Sequence, residues 1–281
     1  MGLETRIYQK ENTTKIGRLI KESFLDMYNS LFLAKQLAKR DLVASYRNSY
    51  LGILWAFITP LTTALVWVFL NSSGTIQLTD TGMPYPLYAF SGTLIWSIIL
   101  DAINSPKQST KSAIGIMSKI NFPKEALIIS GIYKLIINST PKILLLLGFV
   151  LYFGIGFHWT LLLFPFAMLG MIFFGTTIGL FLTPISMFYT DISKIISMVL
   201  RLLMYITPIV YVVPKSGILK TIMEYNPFTP IILTGRDLIL GVIPEYGMYF
   251  LILMLICVPL FLLALAFYRV SIPIFVERLS A

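Results

Sequence analysis

From Tyr50 to Leu70 the chain runs without one charged side chain. A helix needs roughly 20 mostly apolar residues to cross ~30 Å of hydrocarbon, so this stretch is long enough to span a bilayer. The segment directly before it, from Lys35 to Arg47, is basic. Lys and Arg collect on the cytosolic flank of a span, so the two features together set class and orientation. The chain reads as an integral membrane protein whose N-terminus faces the cytosol.

The composition is 57% hydrophobic and 12% charged, well below the about 25% charge of a soluble domain. The apolar residues fall into several separate stretches of spanning length, which predicts one polytopic domain rather than a soluble domain on a single anchor. The 22 Lys and Arg against 13 acids would suggest nucleic acid as partner for a soluble protein. Here their positions matter more, and no nucleic-acid partner is expected. Nine basic residues precede Tyr50, and Lys107, Lys111, Lys119 and Lys124 lie between the second and third apolar stretches, while residues 71–86 have none. This puts the N-terminus and the 106–126 loop in the cytosol and residues 71–86 outside. The first apolar stretch begins about fifty residues in and predicts a retained span, not a cleaved leader. The lone Cys257 lies in an apolar run and is read as packing.

Apolar length and turn residues predict an all-α membrane protein with six spans, near residues 50–70, 87–105, 127–153, 160–183, 192–213 and 247–268. Both termini then lie in the cytosol, in agreement with Arg269 and Arg278 after the last span. Residues 1–29 are polar and mixed in charge, and read as a cytosolic arm, loosely ordered or a short helix. Residues 30–281 form the membrane domain. From Ser30 to Tyr46, apolar Leu31, Ala34, Ala38, Leu42 and Tyr46 recur at helical spacing beside Lys35, Lys39 and Arg40, which predicts an amphipathic helix on the cytosolic surface. Residues 214–245 mix Lys215, Lys220, Glu224, Arg236, Asp237 and Glu245 with apolar runs too short to span. Two readings stand: a re-entrant helical pair buried in protein, or a surface loop with interfacial helices.

Little in the chain suggests catalysis. His158 is the one histidine and sits in a Gly-rich outside turn, and Asp101 and Asp191 fall at span ends, where capping or salt bridging explains them. There is no G-x-x-x-x-G-K-[ST] loop to cradle a nucleotide, so any ATP hydrolysis belongs to another chain. The basic loop 105–124 carries Ile114, Met117 and Ile120 at three-residue steps. Such a helix docks into a groove on a cytosolic partner, or else the loop lies solvated at the headgroups.

Leu42-Val-Ala-Ser-Tyr-Arg-Asn-Ser-Tyr-Leu-Gly-Ile-Leu-Trp-Ala-Phe-Ile-Thr-Pro60, Phe90-Ser-Gly-Thr-Leu-Ile-Trp96, Lys119-Ile-Asn-Phe-Pro-Lys124, Tyr189-Thr-Asp-Ile192, Thr207-Pro-Ile-Val-Tyr211 and Tyr225-Asn-Pro-Phe-Thr-Pro230 follow one another along most of the chain. In this order they resemble the permease subunits of type-2 ABC exporters, in particular the polysaccharide and polyol-phosphate branch that includes O-antigen and teichoic acid transporters. Thr190 departs from the pattern, where the family often has a basic residue before Asp191. The resemblance implies a homodimer bound to two copies of a nucleotide-binding ATPase subunit, which holds ATP and Mg; this chain itself carries no cofactor or metal. It also implies a gate helix over 30–48, a cytosolic coupling helix in 105–124 that presents Ile114, Met117, Lys119, Phe122 and Pro123 to the ATPase subunit, and re-entrant helices over 214–245.

The implied cargo is a lipid-linked polysaccharide of O-antigen type, exported across the inner membrane, with teichoic acid or capsule as the alternative cargo. Sugars offer hydroxyls and apolar ring faces, which aromatic walls hold weakly. Gly52, Trp55, Thr59, Thr62, Thr63 and Val66 form a stripe on the first span. Arg201, Tyr205 and Pro208 share a face of the fifth, with Tyr211 about a turn further. These two stripes are expected to line the path, ordinary interhelical packing being the alternative. Guanidinium forks match phosphate oxygens, so Arg40, Arg47 and Arg201 are candidates for the lipid pyrophosphate. Anionic headgroups, worth roughly 1 kcal/mol per basic residue, are favoured for Arg40 and the cargo for Arg47. Lys134 and Lys142 lie within the third apolar stretch, where a charge is functional by default yet long stems snorkel. An intramembrane glycolipid transferase is the rival of another class, and the sparse acids speak against it. An ion-driven carrier would show repeated halves or midplane charges.

Overall fold

In the computed structural model, which describes residues 16–47, 49–74 and 82–280, every regular element is helical. The α-helices are α1 Ile16–Asn29, α2 Leu31–Tyr46, α3 Trp55–Ser72, α4 Tyr85–Ser112, α5 Ile114–Met117, α6 Glu125–Tyr152, α7 Phe164–Phe188, α8 Thr190–Tyr205, α9 Ile218–Tyr225, α10 Phe228–Leu240 and α11 Gly247–Ser280. Single turns of 3-10 helix, Gly52–Leu54 and Trp159–Leu163, lead into α3 and α7. Among the described residues four helices are long and apolar enough to cross a membrane: α4, α6, α7 with its leading turn, and α11. Helix α3 is apolar but shorter.

Helix α4 is the centre of the bundle. Leu87 to Trp96 are all buried, and α7, α6 and α3 pack around it. Helices in lipid gain no hydrophobic driving force from one another, so close backbone approach supplies the contact. At Gly179 of α7 a Cβ would collide with the carbonyl of Ile103, so glycine lets the two backbones meet there. Phe228, the first residue of α10, sets its ring edge-on against Trp96 and Phe174, with centroids 5.4 and 5.3 Å away, part-way along α4 and α7. The other end of α10 reaches the turn before α7, where Thr160 Oγ1 donates to the Leu238 carbonyl at 3.1 Å.

A second apolar cluster lies at the opposite end of the bundle. Met117 of α5, Leu37 of α2, Leu127 and Ile128 of α6, Leu180 of α7 and Tyr268 of α11 are buried together. Arg269 of α11 joins this end by charge, pairing with Asp26 of α1 at 2.8 Å and with Glu125 at the start of α6. Ser23 donates to the same Glu125 at 2.9 Å. Residues 16–29 of the expected arm thus form a docked helix, while residues 1–15 lie outside the described residues.

The structure corrects three boundaries. Residues 105–112 of the expected 105–124 loop are the end of α4, because Ser105, Pro106, Ser109 and Thr110 are buried against neighbouring helices rather than exposed to water. The helical part of the remaining loop is only the one turn α5. The fifth apolar stretch, expected to be helical over 192–213, stops being helical at Tyr205. Pro208 lacks an amide proton and biases the residue before it away from helix, so the chain continues without regular structure. Even so it follows α4 along its length: Lys107 Nζ donates to Ser193 at one end, and Tyr85 Oη donates to the Val210 carbonyl at the other. Residues 214–245 contain the short helices α9 and α10.

Candidate functional site

Trp55, Thr59 and Thr63 are spaced four apart on α3, so they share one helical face. That face looks across a cleft of about 440 Å³ at Thr93, Trp96, Ser97, Leu100 and Asp101 of α4, Asn138 and Lys142 of α6, and Arg201 and Met204 of α8. Trp55 is 52% exposed and forms an open wall, while Trp96 is 3% exposed and forms the floor. The Thr63 hydroxyl donates to the Thr59 carbonyl at 3.1 Å, which leaves its oxygen free to accept. Lys142 is buried, and its ammonium donates to Asp101 at 2.8 Å and Ser97 at 3.1 Å. A lysine kept out of water needs such partners, since an unpaired buried charge costs several kcal/mol.

Asp101 and Asn138 also line a second cavity of about 500 Å³, toward the α2 end of the bundle. Its walls include Asp41, Leu42 and Ser45 of α2, Ser105, Gln108 and Ser112 of α4, and Gly131 and Lys134 of α6. Asp41 pairs with Lys134 at 2.6 Å and with Arg40 at 2.5 Å. The two cavities meet at Asp101 and Asn138, and along this groove α6 presents Lys134, Asn138 and Lys142 at steps of four. The lysines stand about 12 Å apart along the axis by the rise of 1.5 Å per residue. Each is held by an acid on another helix.

Not every expected residue joins this groove. Trp55, Thr59, Thr63 and Arg201 come together, but Thr62 and Val66 are exposed on other faces of α3 and Tyr205 is exposed beside the lining Met204. Tyr211 is not a wall residue: its carbonyl accepts from Tyr88 Oη at 3.0 Å, beyond the end of α8. Arg40 is occupied by Asp41, and Arg47 is exposed at the end of α2. In the loop between α4 and α6 Met117 is 5% exposed and packs inward, so it is scaffold. Ile114, Phe122 and Pro123 are half-buried, Lys119 is exposed and Ile120 is 61% exposed.

Sequence reasoning missed most of the α4 wall and, on α6, Asn138. Thr93, Ser97, Asp101, Ser105 and Ser112 recur at steps of four, four, four and seven, which keep them on one helical face, a stripe as legible as that of α3. Arg236 was also missed. It is 2% exposed and donates to the carbonyls of Pro208 at 3.1 Å and Ile209 at 2.6 Å, with Asn226 Nδ2 donating to that of Ile206 at 3.1 Å. These bonds satisfy the backbone where α8 gives way to irregular chain, as buried non-helical backbone requires.

Four helices of bilayer length, packed around a groove that holds two tryptophans and two lysine–aspartate pairs, define the class, a multi-pass membrane protein. Residues 33–240 match the ABC-2 type transporter family, and the chain belongs to it. It is 27% identical over 194 residues to the O-antigen export system permease protein RfbA of Myxococcus xanthus, covering 69% of this chain and 72% of that one. A protein of the same name from Klebsiella pneumoniae is 24% identical over 218 residues, 75% of this chain and 81% of the relative.

Proposed function

We propose that this chain is the membrane-spanning subunit of an ATP-driven exporter that carries a lipid-linked polysaccharide of O-antigen type across the inner membrane. The observation that carries the reading is the cleft in which Trp55, Thr59 and Thr63 face Trp96, Arg201 and the Lys142–Asp101 pair. The names of the relatives supply the cargo class. Tryptophan faces take up sugar rings, hydroxyls exchange hydrogen bonds with sugar hydroxyls, and neither holds any one unit tightly. A chain of sugars therefore slides through.

In this reading α3, α4, α6, α7, α8 with the irregular 206–213 segment, and α11 make six crossings, and α9 and α10 re-enter the membrane. Two copies form a homodimer on two ATPase subunits, which bind ATP and Mg. Ile120 and Lys119, with the half-buried Phe122 and Pro123, form the docking surface. Met117 supports a mechanical route inward: it packs against the same cluster as Leu37 of α2, so a push on the loop reaches the helix that borders the groove.

The test is Trp55→Ala and Arg201→Gln in a strain dependent on this chain for export. Surface polysaccharide should fall severalfold while membrane insertion and ATPase-subunit co-purification persist. Undiminished export in both variants would sink the reading.

A further inference from the structure

The two lysine–aspartate pairs of the groove differ in how much of the acid they use. At the α2 end the Asp41 side chain is 12% exposed and both of its oxygens are engaged, Oδ1 by Arg40 and Oδ2 by Ser112 and Lys134. The Asp101 side chain is 49% exposed, and Lys142 takes only Oδ2, at 2.8 Å. Oδ1 has no protein partner among the described residues. A carboxylate that serves only to neutralise a buried lysine gains nothing from being left half open at membrane depth, where an ionisable group is expensive. Its place accounts for the exposure. Asp101 and Asn138 are the two residues that line both cavities, so they stand where the cavities meet.

A carboxylate oxygen accepts from hydroxyls, and a carboxamide both donates through its nitrogen and accepts through its oxygen. Lys142 keeps Asp101 ionised and balances its charge, so Oδ1 is a charge-assisted acceptor without being an isolated anion in the membrane. Adjacent ring hydroxyls of a sugar present donors and acceptors along one edge. The ring faces are left to Trp55 and Trp96 in the first cavity. We propose that Asp101 and Asn138 form a sugar-reading neck between the two cavities, which admits units that carry adjacent free hydroxyls and disfavours units whose hydroxyls are acylated or alkylated. A blocked unit leaves Oδ1 desolvated and unpaired, and that penalty supplies the discrimination without tight holding of the right unit. The proposal rests on the export reading and adds a cargo class to it, since tryptophan faces accept blocked and unblocked rings alike.

The test uses the full chain in nanodiscs of zwitterionic lipid, with methyl α-glucopyranoside and its 2,3,4-tri-O-methyl derivative as probes, read by saturation-transfer NMR. The derivative keeps the ring faces and loses the adjacent hydroxyls. Wild type should bind the glucoside about tenfold more tightly than the derivative, the scale of one hydrogen bond to a charged group. Asn138→Leu should bring the two affinities together. Asp101→Asn alone strands Lys142, so the Asp101→Asn, Lys142→Met double variant takes its place, and it too should lose the preference. Trp55→Ala should weaken both probes by a like factor and keep their ratio, which separates the edge of the sugar from its face. No binding of the glucoside by wild type, equal affinity for the two probes, or a preference that survives in both neck variants overturns the proposal. Such a result with export intact removes the neck alone. A preference that depends on Asp101 and Asn138, in a chain whose deletion leaves surface polysaccharide unchanged, removes the export reading and keeps the sugar site.

Discussion

The guanidinium of Arg236 lies 3.6 Å from the ring centroid of Tyr88. From this position it donates to the carbonyls of Pro208 and Ile209, while Tyr88 Oη donates to that of Tyr211. One stacked pair thus fixes the irregular chain that follows α8 and, through it, the end of the helix that brings Arg201 to the cleft.

Arg236→Lys keeps a charge but loses the planar fork and the stacking, leaving at least one buried carbonyl unpaired. An unsatisfied buried group costs about 1–3 kcal/mol, and lost stacking adds to it. The variant should melt several degrees lower in detergent and expose residues 206–213 to protease. An unchanged melting temperature and cleavage pattern would refute the role.

The Lys142–Asp101 pair is asymmetric, with the lysine side chain 11% exposed and the aspartate 49%. Removing one partner of a fully buried pair costs about 3–5 kcal/mol, and partial exposure screens part of that. Asp101→Asn strands the buried ammonium, whereas Lys142→Met strands a carboxylate that water reaches. Asp101→Asn should therefore be the more destabilising, and the Asp101→Asn, Lys142→Met double variant should recover part of the loss in thermal denaturation. Equal single effects would count against the asymmetry.

Burial by itself would raise the Asp41 carboxyl, but hydrogen bonds from Lys134, Ser112 and Arg40 outweigh it and hold the group below its ordinary value of 3.8. A carboxylate depressed in the folded state stabilises fully above its unfolded value, and the contribution disappears as pH falls through the folded one. Protection of α2 amides from hydrogen exchange, taken relative to the intrinsic rate at each pH, should hold from neutral pH to about pH 5 and fall in more acid solution. Asp41→Asn should exchange faster already at neutral pH and lose its share of the acid dependence. A variant with the wild-type profile would show that Asp41 does not hold α2.

In the loop between α4 and α6, proposed to dock the ATPase subunit, the buried and exposed residues should part company. Met117→Asp places a charge in the cluster of Leu37, Leu127 and Tyr268 and should reduce folded protein in the membrane. Ile120→Ser changes an exposed residue and should leave the fold intact while weakening ATPase-subunit co-purification severalfold. If Ile120→Ser co-purifies as wild type does, the docking surface lies elsewhere.

The α3 half of the groove was legible because Trp55, Thr59 and Thr63 break an apolar run at helical spacing. The α4 half was equally periodic, yet hydropathy divides it. Thr93 to Asp101 fall in a span, and Ser105 to Ser112 are polar enough to read as loop. Hydropathy measures preference for lipid, whereas α4 is surrounded by other helices, where serine and threonine pack well. Lys134 and Lys142 were visible as charges in an apolar stretch, but their partners, 93 and 41 residues away in sequence, were not. Arg236 left no pairing signal at all, because backbone carbonyls have no residue identity. The end of α8 did have one, in Pro208, which apolar length obscured.

At Gly92 of α4 a Cβ would collide with both the Ile209 carbonyl and the Arg236 guanidinium. Position 92, the strand of chain around 209 and helix α10 are therefore not interchangeable parts. A chimera that takes α10 from a relative with a different residue at 236, or takes α4 from one with a side chain at 92, inherits half of a joint. Segment exchange among these transporters should succeed only when all three pieces travel together, although more than a hundred residues separate the first from the last.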